Sequence, residues 1–515
     1  MAKSDAGKTT GNGAITRRRF LVGAGTVAAA LTIVPRHVLG GEGQTPPSAR
    51  VNIAFIGVGS QGLRVMLQFL EQPDVQIVSV CDVNKQSSDY PQWGTAEFRD
   101  SVRRTLGQGY ADWGDWLSTP QTIELTRTMK VTGGTAGREP ARQIVDAYYA
   151  GHKIEGRVGG CSAYNDFREL LDKEKAVDGV VVCTPDHWHA PISVAAMKKG
   201  KHVYCQKPMT RTVYEARRMA EVARETRVAT QVAVGNQASE ATRVLREWIE
   251  AGVVGPVRRV VNWSKRPFWP QGLDRPKDEM PVPAGLDWDL WLGPSPARPY
   301  HRAYLPFIWR GWYDFGAGAL GDMGCYSFDT IFRVLKLEAP TTVEASSSEI
   351  CPETYPKASI VRLDFPARGD LPPVKVEWYD GGLMPARPDE LEGARRLPDE
   401  GLMFVGDKGT ILCGFTGEKP VLIPESRMKG FEPPPKRLPR SPGHDREWIE
   451  ACKGGKDVPG ANFEFSSLVT EAILLGNAAL RTGGRLTWDR ANLSVPNTPA
   501  AAAILRPEYR KGWTL

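Results

Sequence analysis

The chain has 515 residues, 41% of them hydrophobic and 24% charged, which suits about two to four domains with buried cores and excludes a disordered or fibrous protein. Its formal net charge of +7 is concentrated in residues 1–40, which hold six basic residues and one acidic residue. The rest of the chain is close to neutral, so we expect no nucleic-acid partner. The eight cysteines include no C-x-x-C pair, and their spacing indicates neither a zinc site nor a disulfide scaffold.

The first 40 residues are organised like an export signal. Three arginines at 17–19 precede an apolar stretch at 21–34, which is too short to cross a bilayer comfortably. The paired arginines resemble a twin-arginine signal, the route that exports folded proteins. We therefore expect a periplasmic or other extracytoplasmic protein without an integral membrane span in the mature chain. An uncleaved signal would instead tether the protein to the membrane.

Residues 50–235 alternate between continuous Val-rich segments and segments with helical periodicity. Strands are predicted at 51–55, 75–80, 177–183, 202–205 and 228–234, and helices after residue 60 and at 141–150, 167–171, 191–199 and 213–224. Continuous apolar strands separated by helices are typical of a parallel sheet covered on both faces. We therefore predict an α/β fold with a doubly wound Rossmann domain, interrupted by a polar insert at 84–161.

Residues 236–495 have a different pattern and are predicted to form an α+β domain. The predicted elements are strands at 342–347, 359–364 and 374–379, a helix at 466–481, loops at 385–400 and 424–442, and a C-terminal tail at 496–515. Alternation of apolar and polar residues along the strands favours a large antiparallel sheet, with one face buried and one face in water.

A glycine-rich turn follows the first predicted strand. Gly57, Gly59 and Gly62 form a G-x-G-x-x-G pattern that opens a helix, and Asp82 ends the next strand 20 residues after Gly62. This context is typical of dinucleotide binding. Gly57 would permit the tight turn, Gly59 would let the backbone approach a pyrophosphate, and Gly62 would let helix and strand pack closely. We therefore predict a dinucleotide site at this turn.

The residues around this turn also bear on which dinucleotide binds. Ser60 and Gln61 begin the helix, whose free N–H groups and partial positive charge favour phosphates. Asp82 would accept hydrogen bonds from a ribose 2′-hydroxyl and repel a 2′-phosphate, which favours NAD. Lys85, three residues further on, keeps NADP as the alternative.

Polar residues follow two further predicted strands. Thr184, Pro185 and His189 come after the strand at 177–183, and Gln206 and Lys207 come after the strand at 202–205. In a doubly wound sheet the ligand crevice lies at the carboxyl ends of the strands, so we expect these residues to bind the cofactor. The Asp-His-Trp-His string that ends at His189 contains two metal-ligand types, but no third ligand is apparent, and we expect no metal.

Four segments together resemble the Gfo/Idh/MocA oxidoreductases: the glycine pattern at 57–62, Thr184-Pro185 with His189, Lys207-Pro208, and Gly-Ala-Leu-Gly-Asp-Met-Gly at 318–324. The resemblance covers about residues 51–488, and the twin-arginine signal with Trp-Asp-Leu-Trp-Leu-Gly-Pro at 288–294 resembles the exported branch. It implies an NAD(P)-binding Rossmann domain joined to an antiparallel-sheet domain that binds a sugar or cyclitol. It also implies a homo-oligomer paired through that sheet.

The resemblance also assigns roles to individual residues. It implies that Lys207 donates a hydrogen bond to the reacting hydroxyl or carbonyl, that Asp322 orients the substrate, and that Tyr326 relays a proton. Two positions depart from the family pattern, because Gln206 replaces the usual Glu and Tyr326 replaces the usual His. We expect the Lys207 ammonium to lower the pKa of Tyr326 far enough for proton transfer at neutral pH.

The segment 263–315 is rich in aromatic residues and arginines, with six of the chain's fifteen tryptophans. One interpretation is that the rings contact the apolar faces of sugars while arginines bind hydroxyls or carboxylates. The other is that they pack a long Pro-rich loop onto the sheet. From this segment and its neighbours the predicted substrate contacts are Asn236, Trp309, Arg310 and Tyr313.

Three functions agree with this pattern. The first is an oxidoreductase that transfers hydride to or from a CH–OH group of a sugar, sugar acid or cyclitol. The second is a redox-neutral glycosidase, in which bound NAD transiently oxidises a ring hydroxyl and so permits elimination of the glycosyl group. The third is a non-catalytic sugar- or cofactor-binding protein, which the residues at positions 206 and 326 keep open. The first two require the same residues, so the sequence does not separate them.

Overall fold

The computed structural model describes residues 46, 49–92, 98–107, 109–111, 113–114, 121–124, 130–152 and 160–515. Within these ranges the unit Arg50–Leu515 is compact and contains three β-sheets. The predicted export signal at 1–40 lies outside the described residues.

Seventeen strands are present in the described residues. In chain order they are β1 (Val51–Ile56), β2 (Val75–Cys81), β3 (Ser87–Pro91), β4 (Gln121–Glu124), β5 (Lys130–Ala136), β6 (Ser162–Tyr164), β7 (Gly179–Val182), β8 (His202–Cys205), β9 (Thr230–Val232), β10 (Val257–Trp263), β11 (Thr342–Ser347), β12 (Ser359–Phe365), β13 (Val374–Tyr379), β14 (Gly401–Gly406), β15 (Gly409–Cys413), β16 (Val421–Ile423) and β17 (Leu486–Thr487).

Twelve α-helices are present in the same residues. They are α1 (Ser60–Leu70), α2 (Phe98–Leu106), α3 (Arg138–His152), α4 (Phe167–Lys173), α5 (His189–Lys198), α6 (Val213–Thr226), α7 (Glu240–Glu250), α8 (Trp288–Leu292), α9 (Gly318–Leu335), α10 (His444–Cys452), α11 (Phe463–Thr482) and α12 (Ala502–Leu505).

The first sheet is parallel and has the strand order β6-β2-β1-β7-β8-β9. Every neighbouring pair in it runs parallel, which confirms the predicted doubly wound sheet. The strand order reverses between β1 and β7, and in such sheets ligands bind beyond the carboxyl ends of the strands at this point. The edge strand β6 was not predicted, because its three residues form no apolar run.

Local signals explain where several of these helices begin. Helix α6 starts after Thr212, whose side chain accepts a hydrogen bond from the Glu215 N–H while Glu215 caps the Thr212 backbone in return. Such a reciprocal cap satisfies N–H groups that a helix start leaves free. Helix α4 starts after Asp166, whose carboxylate accepts from the Arg168 N–H. Both helices were predicted within a few residues of these boundaries.

A helix from the C-terminal half completes the core of the parallel sheet. Trp448 of α10 is fully buried and packs edge-to-face against Phe69 and Tyr204, with ring centroids 6.0 and 5.7 Å away. Arg446 of the same helix forms an ion pair of 2.6 Å with the buried carboxylate of Asp74. The parallel sheet therefore depends on residues more than 200 positions beyond its last strand.

The insert between β2 and β6 forms a small sheet of its own. Strands β3, β5 and β4 pair antiparallel in that order, and α3 returns the chain to the parallel sheet. The hydroxyl of Tyr149 in α3 accepts a hydrogen bond of 2.8 Å from the Ile77 N–H. The predicted helix at 141–150 is confirmed within α3, whereas the strands were missed because their residues are polar and lack a period.

The second large sheet has eight strands in the order β16-β15-β14-β10-β13-β12-β11-β17. All pairs are antiparallel except β10 with β13, so the sheet predicted as antiparallel is mixed. The three predicted strands are confirmed as β11, β12 and β13. The parallel pair arises because β10 enters the sheet between β13 and β14 from a long connection, a placement that local periodicity does not encode.

Helices α9 and α11 contact each other, and α11 also packs on the second sheet. Among the described residues α11 is the one helix long and apolar enough to cross a bilayer, yet 83% of its most apolar window is buried inside the protein. Its apolar residues are therefore explained by burial in the protein core. The predicted tail also packs: the Trp513 ring meets the Trp188 ring edge-on at 4.8 Å.

Candidate active site

A cavity of about 600 Å³ lies at the carboxyl ends of β1, β7 and β8. Its wall combines the glycine turn, the insert, the segment 263–315 and α9. Most of the predicted site residues line it: Gly57, Gly59, Ser60, Gln61, Asp82, Thr184, Pro185, Gln206, Lys207, Trp309, Arg310, Asp322 and Tyr326. The topology thus brings together residues that are up to 269 positions apart.

Two of the glycines are required by close backbone contacts. Gly57 has a φ of +86°, and a Cβ there would lie 2.7 Å from the carbonyl carbon of Cys183. A Cβ at Gly62 would lie 2.1 Å from the carbonyl oxygen of Gly57. Gly62 therefore holds α1 against the turn, as its predicted packing role requires, and does not line the cavity.

The insert covers the glycine turn. A Cβ at Gly59 would lie 2.7 Å from Cε1 of Tyr90, so the Tyr90 ring packs directly on this glycine. The Ser60 hydroxyl donates a buried hydrogen bond of 2.7 Å to the Pro91 carbonyl oxygen. Tyr90, Pro91 and Val131 line the cavity with the turn. Nothing in the polar sequence of β3 identified these residues as part of the site.

Asp82 lies at the wall of the cavity, where its carboxylate is held by the backbone. The N–H groups of Val58 and Asn84 donate to its two oxygens, each at 2.8 Å. Burial raises the pKa of Asp82, while these two N–H groups oppose the rise by stabilising the charged form. Lys85 is exposed, its backbone N–H donates to Gly285, and it does not line the cavity.

An unsatisfied hydroxyl at the end of β7 shows that the site fits a dinucleotide. The Oγ1 of Thr184 is buried, lines the cavity and has no hydrogen-bond partner in the described part of the chain. A buried polar atom of this kind normally has a partner, and dinucleotide oxygens can accept from a hydroxyl. Together with the glycine turn and the Asp82 carboxylate, the residues present match what NAD requires.

His189 occupies a different place from the one predicted. Its Nδ1 lies 2.8 Å from the Pro208 carbonyl oxygen and its Nε2 lies 2.9 Å from the Thr184 carbonyl oxygen. Burial lowers its pKa to about 4, so it is neutral at pH 7, and it does not line the cavity. His189 therefore connects the loops after β7 and β8 instead of contacting the cofactor. Among the described residues no group of three or more His, Cys, Asp or Glu side chains could hold a metal ion.

Lys207, Asp322 and Arg310 form a buried charge cluster at the cavity wall. The Lys207 ammonium donates to Oδ1 of Asp322 at 2.8 Å and to its carbonyl oxygen at 3.0 Å. Arg310 Nε donates to the same Oδ1 at 3.0 Å. Burial by itself raises the pKa of Asp322, but the two cations outweigh it and bring the pKa to about 2. Burial likewise lowers the pKa of Lys207, and the Asp322 charge overcomes this and raises it above its ordinary value.

Tyr326 lies one helical turn after Asp322 on α9, so both side chains share one face. Its ring centroid lies 5.1 Å from Nζ of Lys207. The prediction that Lys207 lowers the pKa of Tyr326 is wrong in its net result. Burial raises the pKa of Tyr326 above its ordinary value of 10.0, and the neighbouring ammonium only partly opposes this. Tyr326 is therefore a neutral phenol at pH 7 and a proton donor.

Two predicted substrate contacts lie outside the cavity. Asn236 donates a hydrogen bond of 2.8 Å to Oγ1 of Thr330 and another to the Tyr326 carbonyl oxygen. Its side chain therefore binds two residues of α9. Tyr313 packs its ring against that of Tyr355, with centroids 4.6 Å apart. Neither residue lines the cavity.

The aromatic segment divides into a packed set and a set that lines the cavity, with Trp309 in both. One set packs together as a separate apolar cluster: Leu286, Trp291, Leu292, Tyr304, Trp312 and Phe315, with Trp288, Tyr300 and Trp309 against it. A second set lines the cavity near Lys207: Arg266, Phe268, Trp269, Phe307, Trp309 and Arg310. The composition of the segment pointed to this region, but the sequence did not single out Arg266 or Phe268.

The sequence matches two domains of one family. The first is described as "Oxidoreductase family, NAD-binding Rossmann fold" and matches residues 136–234. The second is described as "Oxidoreductase family, C-terminal alpha/beta domain" and matches residues 242–358. Both belong to the Gfo/Idh/MocA group, so the predicted family and its dinucleotide-binding fold are confirmed.

Individual relatives match this chain over only part of their own length. Levoglucosan dehydrogenase of Pseudarthrobacter phenanthrenivorans is 29% identical over 119 residues, which is 22% of this chain and 30% of that protein. Glycosyl hydrolase family 109 protein 1 of Shewanella sp. strain MR-4 is 23% identical over 227 residues, which is 41% of this chain and 38% of that protein. The chain thus spans less than half the length of these curated relatives.

A solved structure agrees with the fold. The WlbA dehydrogenase of Bordetella pertussis, crystallised with NADH and UDP-GlcNAcA, superimposes with a TM-score of 0.51 at 14% identity, covering 85% of this chain and 99% of that one. The paired sheets, the glycine turn and the two matched domains lead to one conclusion. Residues 136–234 carry the NAD-binding Rossmann domain of the Gfo/Idh/MocA oxidoreductases, and residues 242–358 carry their C-terminal α/β domain.

Proposed function

We propose that the protein is an NAD(P)-dependent oxidoreductase that transfers hydride to or from a CH–OH group of a sugar, sugar acid or cyclitol. The main support is one cavity that joins the glycine turn to the Lys207 ammonium and the Tyr326 phenol. The name of the levoglucosan dehydrogenase relative supports a carbohydrate as the substrate class.

The walls of the cavity suggest how a dinucleotide would lie. Gly57, Gly59 and the N-terminus of α1 would hold the pyrophosphate, and Asp82 would accept hydrogen bonds from the adenosine ribose. The Thr184 hydroxyl would find its partner on the nicotinamide half. When bound, the nicotinamide supplies the hydride acceptor or donor.

Lys207 and Tyr326 would act on the reacting oxygen of the substrate. The ammonium donates a hydrogen bond to that oxygen, and Asp322 keeps Nζ in place through its carboxylate and its carbonyl oxygen. Because the pKa values of Lys207 and Tyr326 are both raised, both groups hold their protons at pH 7. The site is therefore prepared to donate a proton as a carbonyl is reduced.

A substrate panel tests this proposal. Neutral sugars, sugar acids and cyclitols, together with their keto forms, are mixed with the protein and NAD or NADP, and absorbance is followed at about 340 nm. We expect cofactor-dependent change with at least one substrate and its loss in Lys207→Met. Bound dinucleotide without any absorbance change across the panel would contradict net oxidoreduction.

A redox-neutral glycosidase is the second candidate, and two observations favour it. The match to the glycosyl hydrolase family 109 protein covers 41% of this chain, more than the 22% covered by the dehydrogenase. The packing of Tyr90 and Pro91 over the glycine turn also favours a dinucleotide that stays bound through the whole cycle. Such a cycle would oxidise a ring hydroxyl to a carbonyl, remove the acidified adjacent proton and break the glycosidic C–O bond. Water would then add to the resulting double bond, and the hydride would return to the carbonyl.

An assay with p-nitrophenyl glycosides separates the two candidates. The glycosidase would release p-nitrophenol without added NAD and without net change at about 340 nm. The net oxidoreductase would release none. Lys207→Met should abolish either signal, because the same ammonium contacts the reacting oxygen in both reactions.

We also propose that the protein is exported by the twin-arginine route, as the exported branch of its family would be. The support is the Arg-rich and apolar sequence of residues 1–40. Fusing these residues to a reporter that folds before export should carry it out of the cytoplasm. Replacing Arg17 and Arg18 together with lysine should stop this transport, and unchanged transport would contradict the proposal.

The protein is further proposed to form a homo-oligomer through its eight-stranded sheet. The support is the face of the eight-stranded sheet that carries Arg259, Arg362 and Lys375, which are all partly exposed. Light scattering after size-exclusion chromatography measures the molar mass directly. A mass of about one chain, 56.6 kDa, would contradict this part of the proposal.

A further inference from the structure

Arg266 presents an unsatisfied guanidinium to the cavity. It follows β10 and lines the same cavity as Lys207 and Tyr326. Its Nε is buried and has no hydrogen-bond partner in the described residues. The nearest carboxylate oxygen is Oε1 of Glu400, 3.8 Å from Nε, which is beyond hydrogen-bond distance. A buried guanidinium N–H without a partner is rare in folded proteins, so this group is suited to an incoming acceptor.

The surroundings of Arg266 hold its guanidinium in place without satisfying it. The Phe268 ring centroid lies 4.2 Å from Cζ, and the Sδ of Met323 lies 3.4 Å from Nη1. Glu400 accepts a hydrogen bond from the Ser264 hydroxyl on the same oxygen that faces Arg266. The ring and the thioether restrict the orientation of the guanidinium. Both are weak partners, so an anionic ligand would bind the guanidinium in preference to them.

Arg310, the other arginine of this wall, differs because its Nε and Nη1 are both hydrogen-bonded. Its Nε donates to Asp322 at 3.0 Å and its Nη1 donates to the Phe307 carbonyl oxygen at 3.0 Å. Its Cζ also lies 4.3 Å from the Trp309 ring centroid. Arg310 therefore belongs to the Lys207 charge cluster, and Arg266 is the arginine left for a ligand.

The charges of the lining residues also favour an anion near Lys207. Lys207, Arg266 and Arg310 are positive there, and Asp322 is the one carboxylate among the described lining residues on this side. The other lining carboxylates, Asp82 and Asp166, follow β2 and β6, which lie on the opposite side of β1 from β8. Glu400 does not line the cavity but lies 3.8 Å from Arg266, so three cations face two carboxylates at the substrate end, an excess of one positive charge.

We propose that Arg266 binds a carboxylate of the substrate, so that the protein acts on acidic sugars such as uronic or aldonic acids. This inference rests on the proposed carbohydrate function and narrows its substrate class. A guanidinium matches the planar carboxylate in a two-point hydrogen bond, and its single charge balances a monoanion. Lys207 and Tyr326 would then contact a hydroxyl or carbonyl of the same molecule.

Binding of matched sugars to the NAD-loaded protein tests the inference. D-glucuronate is compared with D-glucose, and D-galacturonate with D-galactose, by calorimetric titration. We expect one acid to bind about tenfold to a hundredfold more tightly than its neutral partner, since a hydrogen bond to a charged group contributes that much. Arg266→Gln should remove this difference and leave neutral-sugar binding unchanged.

Two further variants control for loss of charge and for misfolding. Lys265→Gln removes the neighbouring positive charge, which pairs with Asp399 at 3.0 Å and does not line the cavity, and should keep the preference. Arg266→Lys keeps the charge without the planar fork and should retain only part of the preference. Thermal unfolding of each variant in the same buffer verifies that the fold is intact.

Several outcomes would overturn the inference. Equal binding of acid and neutral sugars would do so, as would an Arg266→Gln effect of the same size on both. Tighter binding of D-glucose 6-phosphate than of D-glucuronate would assign Arg266 to a phosphate instead. The proposed function fails in a different way: acids that bind through Arg266 without any hydride transfer or glycoside cleavage would retain this inference and remove the enzymatic assignment.

Discussion

The Lys207 ammonium and the Asp322 carboxylate form a hydrogen-bonded ion pair of 2.8 Å, in which the two side chains are only 13% and 10% exposed. They come from different parts of the chain, the loop after β8 and the second turn of α9. Arg310 shares the same carboxylate oxygen. One buried anion therefore pairs with two buried cations at the place where we propose that substrate reacts.

Removing this anion should destabilise the protein. Asp322→Asn leaves Lys207 and Arg310 buried without a counter-ion, and breaking such a buried pair costs about 3 to 5 kcal/mol of unfolding free energy. Urea unfolding at pH 7 measures the loss. As a control, Asp172→Asn removes one partner of the exposed Lys199 pair and should leave the unfolding midpoint unchanged. Equal midpoints for all three proteins would contradict the role assigned to Asp322.

The same carboxylate predicts how stability depends on acid. Because the pKa of Asp322 is about 2 in the folded protein and 3.8 is its ordinary value, its contribution is complete above about pH 4 to 5 and is lost as the pH falls towards 2. Asp322→Asn should therefore unfold with a weaker dependence on pH across this range. An unchanged acid unfolding profile would argue against the depressed pKa.

Lys207 and Tyr326 should each be needed for turnover. Lys207→Met and Tyr326→Phe should lower kcat/KM by about 10² to 10⁴, the usual contribution of a positioned proton donor. Tyr313→Phe is the matched control, because Tyr313 packs against Tyr355 outside the cavity and its variant should keep activity. Full activity of Tyr326→Phe would show that the phenol takes no part in proton transfer.

The raised pKa values of these two groups predict different pH profiles for the two reaction directions. Lys207 and Tyr326 stay protonated beyond their ordinary values of 10.5 and 10.0. The pKa of Asp322 is lowered, so it stays ionised, and burial raises the pKa of Asp186, which keeps it protonated over more of the acidic range. Carbonyl reduction should then vary by less than about threefold between about pH 6 and 9, while alcohol oxidation should rise with pH. A bell-shaped profile near pH 7 for reduction would contradict this.

Asp82 predicts a preference for NAD over NADP. A 2′-phosphate would lie against its buried carboxylate, so NAD should bind the wild-type protein at least about tenfold more tightly. Asp82→Asn should reduce this ratio, and it should also weaken NAD, because an amide oxygen cannot accept from both backbone N–H groups that now bind the carboxylate. Fluorescence titration gives both constants, and equal binding by the wild-type protein would contradict the preference.

Local sequence patterns were sufficient to predict the helices and strands that have strong periodicity. The strand at β8 was predicted with its observed bounds, and α6 was predicted at 213–224 from its helical pattern. The strands of the insert and β6 were missed, since polar strands derive their stability from pairing partners that local sequence does not specify. The parallel pairing of β10 with β13 was missed for the same reason.

The amino-acid sequence by itself determined the dinucleotide turn, the alternation that produces the parallel sheet and the identity of Lys207, Asp322 and Tyr326, because each depends on residues close together in the chain or on a family pattern. Only the tertiary structure decided that Tyr326 keeps its proton, that His189 supports two loops and that Tyr90 covers Gly59. These properties depend on burial and on contacts between distant segments, and desolvation is set by the packed surroundings of a group and not by its neighbours in sequence.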